Sequence, residues 1–151
     1  MTINCKGKLL NFDSPIVMGI LNVTPDSFYD GGNLETESQL FEQAFNMIQS
    51  GATILDIGGY SSKPGAKEVS VEEELNRVVP AIQLISSKFP EVILSIDTFR
   101  SEVARAAVNA GAALINDISA GDLDSNMFMT VKELQVPYCL MHMQGTPQTM
   151  Q

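Results

Sequence analysis

Five short apolar runs in this chain each give way, toward the C-terminus, to a side chain that can hydrogen-bond. Asn22 follows run 16–21, Asp56 interrupts run 54–57 and Asp97 closes run 92–96. Asn116 and Asp117 follow run 113–115, and His142 follows run 138–141. Carboxylates and amides of this kind accept hydrogen bonds from a ligand's N–H groups. In parallel α/β proteins the C-terminal ends of the strands share one rim, where substrates bind. Asp56 sits within Ile54-Leu55-Asp56-Ile57 and Asp97 within Ser95-Ile96-Asp97-Thr98, so both carboxylates are expected to lie largely out of water, where they need a compensating donor. No Lys or Arg beside them in sequence supplies one. Asp117, and Asn22 taken alone, serve equally well as turn formers or helix caps. His142 serves either as a packed, hydrogen-bonded residue or as a ligand contact.

The segments between the runs have helical spacing. Leu40, Phe41, Ala44, Phe45 and Ile48 mark one face of a helix that ends at Gly51, and Leu75, Val78, Val79, Ile82 and Ile85 repeat the pattern. Ser70-Val71-Glu72-Glu73 forms a capping box at the start of the second helix, and Pro80 predicts a kink within it. An alanine-rich helix over 101–110 ends at Gly111, and a weaker one between 124 and 135 is closed by Pro137. Strands that read as solid apolar runs, alternating with helices, specify parallel βαβ units and an α/β fold. SGATILDI (50–57) echoes AGAALINDI (110–118): in each a Gly closes a helix, and five residues later a polar side chain, Asp56 or Asn116, interrupts the next strand. Residues 3–12, with Lys6-Gly7 between two short segments, suit a hairpin placed before the first sheet strand.

A chain of 151 residues with 44% hydrophobic content fits one domain with a sizeable core. Nine Lys and Arg against 18 Asp and Glu give a net charge of −9, which opposes a sequence-independent grip on nucleic acid or an anionic membrane. Any phosphate on a substrate must therefore be held by specific local groups. Cys5 and Cys139 show no metal or redox spacing and read as buried free thiols. The segment MTINCKGKLL lacks a signal core, and no apolar run approaches about 18 residues, so a soluble cytoplasmic protein is expected. On that expectation the sequon Asn22-Val23-Thr24 carries no meaning.

Two connections, 22–34 and 58–69, are longer than ordinary βα loops, and both contain a Gly pair and Pro. Loops of this kind commonly close over a ligand. The second has neither P-loop nor dinucleotide spacing, although its hydroxyls, its Lys and its backbone amides could receive an anion.

The stretches MGILNVTPDSFYDGG, LDIGGYSSKPGA, SIDT, INDISAG and LMHMQGTPQTMQ, in this order, resemble the motifs of the dihydropteroate synthase family. The resemblance spans essentially the whole chain. It implies a TIM (β/α)8 barrel, with residues 1–151 forming a partial pterin-binding domain: an N-terminal hairpin and roughly the first half of the barrel. It further implies a transferase of folate biosynthesis, which joins 4-aminobenzoate to 6-hydroxymethyl-7,8-dihydropterin diphosphate and releases diphosphate. By the same resemblance Asn22, Asp97 and Asn116 are catalytic, and Asn22 meets Mg²⁺. Asp56, Ser61, Ser62, Lys63, Pro64 and Met141, together with Asp97 and Asn116, bind substrate. Thr24, Asp26, Phe28 and Tyr29 belong to a lid that excludes water. The implied mechanism is dissociative, with diphosphate leaving before the amine attacks a pterin cation. The 4-aminobenzoate pocket is the one that sulfonamides mimic, and the full-length enzyme is expected to be a homodimer. Where many relatives have Glu-Ser-Thr-Arg, this chain has Tyr60-Ser61-Ser62-Lys63, and Lys lacks the bidentate fork of Arg.

A barrel of this type needs about 250 residues and eight strands, whereas five sheet strands are predicted here. The later elements, with a further pterin-binding Asp, a Lys, and an Arg and His for diphosphate, have no counterpart before Gln151. The chain is therefore expected to be a fragment of a longer enzyme, to be completed by a second copy or polypeptide, or to bind pterin without catalysis. Alone it is expected to be inactive. A pterin-dependent methyltransferase domain is the alternative enzyme reading, for which the two long loops would be unnecessary.

Overall fold

Strand–helix alternation along the sequence becomes a layered arrangement in the computed structural model, which describes residues 1–23, 34–60 and 69–142. Strands β1 (Thr2–Cys5) and β2 (Lys8–Asn11) pair as the expected antiparallel hairpin, with Lys6 and Gly7 both at positive φ in its turn. Five parallel strands follow: β3 (Val17–Asn22), β4 (Ala52–Gly58), β5 (Ile93–Asp97), β6 (Leu114–Asp117) and β7 (Tyr138–Leu140). Each hydrogen-bonds beside its predecessor, in chain order. The helices are α1 (Leu34–Gln49), α2 (Val71–Lys88), α3 (Ser101–Ala110) and α4 (Met127–Leu134). A doubly wound sheet would reverse its strand order partway; this one winds in a single direction, as a barrel wall does.

Side chains alternate across a strand, and this sheet uses its two faces differently. Leu21, Leu55, Ile57, Leu94, Ile96 and Ile115 face the helices and join Leu40, Ala44, Val78, Ile82, Val103 and Met127 in the main core. On the opposite face, Ile54 and Ile93 pack with Ala113 against Cys5 and Leu10 of the hairpin, with Ile3, Ile16 and Met18 around them. The hairpin is thus a plug under the N-terminal ends of the strands. Its lysines fasten it: Lys6 Nζ donates to Val108 O at 2.8 Å, near the C-terminus of α3 where a cation is favoured, and Lys8 Nζ donates to Val92 O at 2.8 Å and to Pro90 O.

The capping box and the two helix-ending glycines are realised in the structure. Ser70 Oγ accepts from Glu73 N at 3.1 Å while Glu73 Oε2 accepts from Ser70 N at 3.3 Å, completing the capping box; α2 continues through Pro80 to Lys88. Gly51 and Gly111 adopt φ of +101° and +134°, a region open to glycine at no steric cost. Each turns the chain from a helix into the next strand, so the two echoed segments share one shape as well as one sequence pattern.

One expectation fails. Cys5 is buried, and burial raises its thiol pKa, but Cys139 is exposed. Among the described residues strand β7 pairs only with β6, so no strand flanks it on the other side. Among the described residues, no helix is long and apolar enough to cross a membrane.

Candidate active site

Parallel register decides which polar side chains meet. Asn22 lies opposite Gly58, Gly58 opposite Asp97, Asp97 opposite Asn116, and Asn116 opposite Cys139. One layer deeper, Ile20, Asp56, Ser95 and Leu114 are in register. Below them, Met18, Ile54 and Ile93 rest on the hairpin plug. The inner face therefore passes from an apolar floor to a polar rim within two layers, and Asn22, Asp56, Asp97 and Asn116 share it.

Asp56 is buried, and its Oδ2 accepts from Asn116 Nδ2 at 2.9 Å. With that amide nitrogen engaged, Asn116 Oδ1 is the atom left to accept a donor. The echo between 50–57 and 110–118 thus has a structural outcome, since its two polar positions bond to each other. Asp56 Oδ1 and Ser95 Oγ are buried with no hydrogen-bond partner among the described residues. Ser95 stands beside Asp56 in register and eases its charge, but no hydrogen bond of ordinary geometry joins them. Burial raises the Asp56 pKa, opposed by Ser95 and Asn116.

Asp97 is placed more severely. Among the described residues no donor reaches its carboxylate. Burial first, and then the negative fields of Asp56, Glu74 and Asp117, push its pKa up to about 7. A carboxyl group shifted this far at the strand ends is a candidate functional group. Between Asn22 and Asp97, position 58 lacks a side chain: a Cβ there would lie 3.3 Å from Asn22 Oδ1 and 3.4 Å from Asp97 Oδ2.

Asp117 proves to be a turn former. Its carboxylate accepts from Ser119 N and Oγ, both at 2.8 Å, from Gly121 N at 2.9 Å and from the Tyr138 hydroxyl at 2.6 Å, fastening β6 to β7. Met141 and His142 are exposed just beyond β7. Thr24, Asp26, Phe28, Tyr29, Ser61, Ser62, Lys63 and Pro64 lie outside the described residues. Among the described residues, no group of three or more His, Cys, Asp or Glu could hold a metal ion. Asn22 offers a single neutral, exposed oxygen at the rim.

Sequence reasoning missed Ser95, Gly58 and a charged cluster behind the rim. Ser95 was legible two residues before Asp97, on the same strand face. Glu74 and Arg77 fall within the buried stripe of α2 formed by Val78, Ala81, Ile82 and Ile85, and a charge on an apolar stripe is a signal in itself.

Residues 18–151 match the family described as pterin binding enzyme. The chain belongs to this family. It is 48% identical to the dihydropteroate synthase of Escherichia coli K12 over 151 residues, covering all of this chain and 53% of that protein. The structure of Xanthomonas albilineans dihydropteroate synthase with 4-aminobenzoic acid superposes with a TM-score of 0.84 at 46% identity, over 95% of this chain and 52% of that one. The Yersinia pestis dihydropteroate synthase in a sulfonamide drug complex gives a TM-score of 0.85 at 44% identity, over 98% and 53%. The chain thus spans about half the length of these pterin-binding relatives. Its α/β sheet is an N-terminal part of their TIM barrel.

Proposed function

We propose that this chain supplies the pterin-binding half of a dihydropteroate synthase, acting on dihydropterin diphosphate and 4-aminobenzoate with release of diphosphate. The observation that carries this reading is the row of acceptors on adjacent strands: the Asp97 carboxylate, Asn116 Oδ1 and the unsatisfied Asp56 Oδ1 beneath them. A dihydropterin presents N–H donors along its pyrimidine edge, and acceptors with no donor among the described residues gain most from such a ligand.

Asp97 and Asn116 bind and orient the pterin ring, and Asp56 fixes the Asn116 amide so that its oxygen faces the ligand's donors. The apolar floor excludes water from below, which favours positioning and electrostatic stabilisation over strong-base catalysis. Asn22, a hard neutral oxygen at the mouth, suits Mg²⁺, which keeps several waters and is commonly shared with phosphate oxygens. When bound, the metal would offset charge on the leaving diphosphate. The chain between Tyr60 and Val69, through Ser61, Ser62, Lys63 and Pro64, receives 4-aminobenzoate, and Thr24, Asp26, Phe28 and Tyr29 belong to the lid. Dimerisation and a cytoplasmic location belong to the same reading.

The test is diphosphate release by the full-length protein with both substrates and Mg²⁺. Release dependent on 4-aminobenzoate is expected, and dihydropterin binding without release refutes the reading. A second measurement probes the hollow directly. Gly58→Val places new carbon against Asn22 Oδ1 and Asp97 Oδ2, and dihydropterin affinity should fall about tenfold or more by calorimetry, since packed sites do not absorb added volume freely. Unchanged affinity would put the ligand elsewhere.

A further inference from the structure

Behind the rim, a buried ionic cluster ties together stretches of chain far apart in sequence. Glu74 on α2 is fully buried; its Oε1 accepts from Thr98 Oγ1 at 2.7 Å and its Oε2 from Arg100 Nη1 at 2.7 Å. Arg100 Nη2 donates to Val69 O at 2.6 Å. The Arg100 guanidinium also lies 5.5 Å from the Tyr60 ring and 5.1 Å from the Phe99 ring, which meet edge to face at 5.2 Å. Arg77 Nη1 donates to Gly59 O at 2.8 Å. The cluster therefore grips Gly59 and Tyr60 on one side of residues 61–68 and Val69 on the other. It anchors both to Thr98, the residue next to Asp97.

Stability alone is a poor reason for such a cluster, because a buried ion pair contributes little beyond what well-packed apolar side chains of similar volume would. What it supplies is fixed geometry: the planar guanidinium presents a rigid fork to two acceptors while stacking on aromatic rings.

We propose that Arg100, held by Glu74, is a positioning residue for the aromatic amine: it sets Tyr60 and Val69 at a fixed place relative to Asp97, and thereby governs the KM for 4-aminobenzoate. This rests on the reading above, in which the chain between Tyr60 and Val69 receives the amine. Arg100 acts through those flanks, to which its Nη2 and its guanidinium face are held.

The test uses Arg100→Lys and the double variant Glu74→Met/Arg100→Met in the full-length protein. Steady-state kinetics are measured in each substrate, with dihydropterin affinity from calorimetry and thermal unfolding alongside. Lys keeps the charge and loses the fork, so the KM for 4-aminobenzoate should rise about tenfold while dihydropterin affinity stays within about twofold. The double variant removes both charges together and so leaves neither buried without its partner, yet it should keep the raised KM. Equal shifts for both substrates, an unchanged KM in Arg100→Lys, or a wild-type KM in the double variant would overturn the proposal. Wild-type turnover is the control: its absence defeats the functional reading and the positioning role together, whereas coincident shifts in an active enzyme defeat the positioning role alone.

Discussion

Asp97→Asn should lower dihydropterin affinity about a hundredfold or more and, at the same time, raise the thermal stability of the unliganded protein at neutral pH. The two effects have one cause. The carboxylate is half-buried with no donor among the described residues; its removal from water, and then the negative fields of Asp56, Glu74 and Asp117, raise its pKa to about 7 from an ordinary 3.8. Between these values the folded protein binds more protons than the unfolded chain, so Asp97's contribution is fully present below about pH 4 and is lost as pH rises through about 7. Asn removes that loss, so the gain in melting temperature should be largest near pH 8 and vanish near pH 4. A dihydropterin needs the ionised acceptor, so affinity in the parent protein should fall about tenfold for each pH unit below 7. Calorimetry and melting curves across pH 4 to 8 measure both. An Asn variant that is less stable at pH 8, or that binds as the parent does, would refute this account of Asp97.

The second large effect is on folding. Glu74→Ala strands the Arg100 guanidinium, which is largely buried and loses its 2.7 Å partner, and it removes the acceptor of Thr98. Truncating one member of a buried pair leaves an uncompensated charge and should cost about 3–5 kcal/mol. In the full-length protein that corresponds to a fall of roughly 10 °C in melting temperature. Urea titration of the parent and variant gives the figure, and a loss below about 1 kcal/mol would mean that water or rearrangement satisfies Arg100. Glu74→Gln should be milder, since it retains an acceptor for either Thr98 or Arg100.

What the sequence disclosed and what it concealed follow from the range of the interactions. Apolar runs and helix spacing are local, so β3 to β7, the four helices, the capping box at Ser70 and the left-handed glycines at 51 and 111 could all be read in advance. The polar ends Asn22, Asp56, Asp97 and Asn116 were legible because each interrupts an apolar run. That Asp56 and Asn116 would bond to each other was not, because it depends on register across β4, β5 and β6. Asp117 showed the same ambiguity in reverse: at the sequence level a turn former and a ligand contact look alike, and only Tyr138 and the amides of Ser119 and Gly121 decide between them. Cys139 was misjudged because exposure on an edge strand is a property of its neighbours. The cluster of Glu74, Arg77 and Arg100 escaped notice because its partners are distant in sequence, although charges on a buried helical stripe announced that something must compensate them.

The lysine-fastened hairpin beneath the strands has a further consequence. Among the described residues it lays hydrocarbon under the lower end of the inner face, where Cys5 and Leu10 pack on Ile54, Ile93 and Ala113. A molecule seated against Asp56 would rest above this hydrocarbon, which offers water no hydrogen bond from beneath.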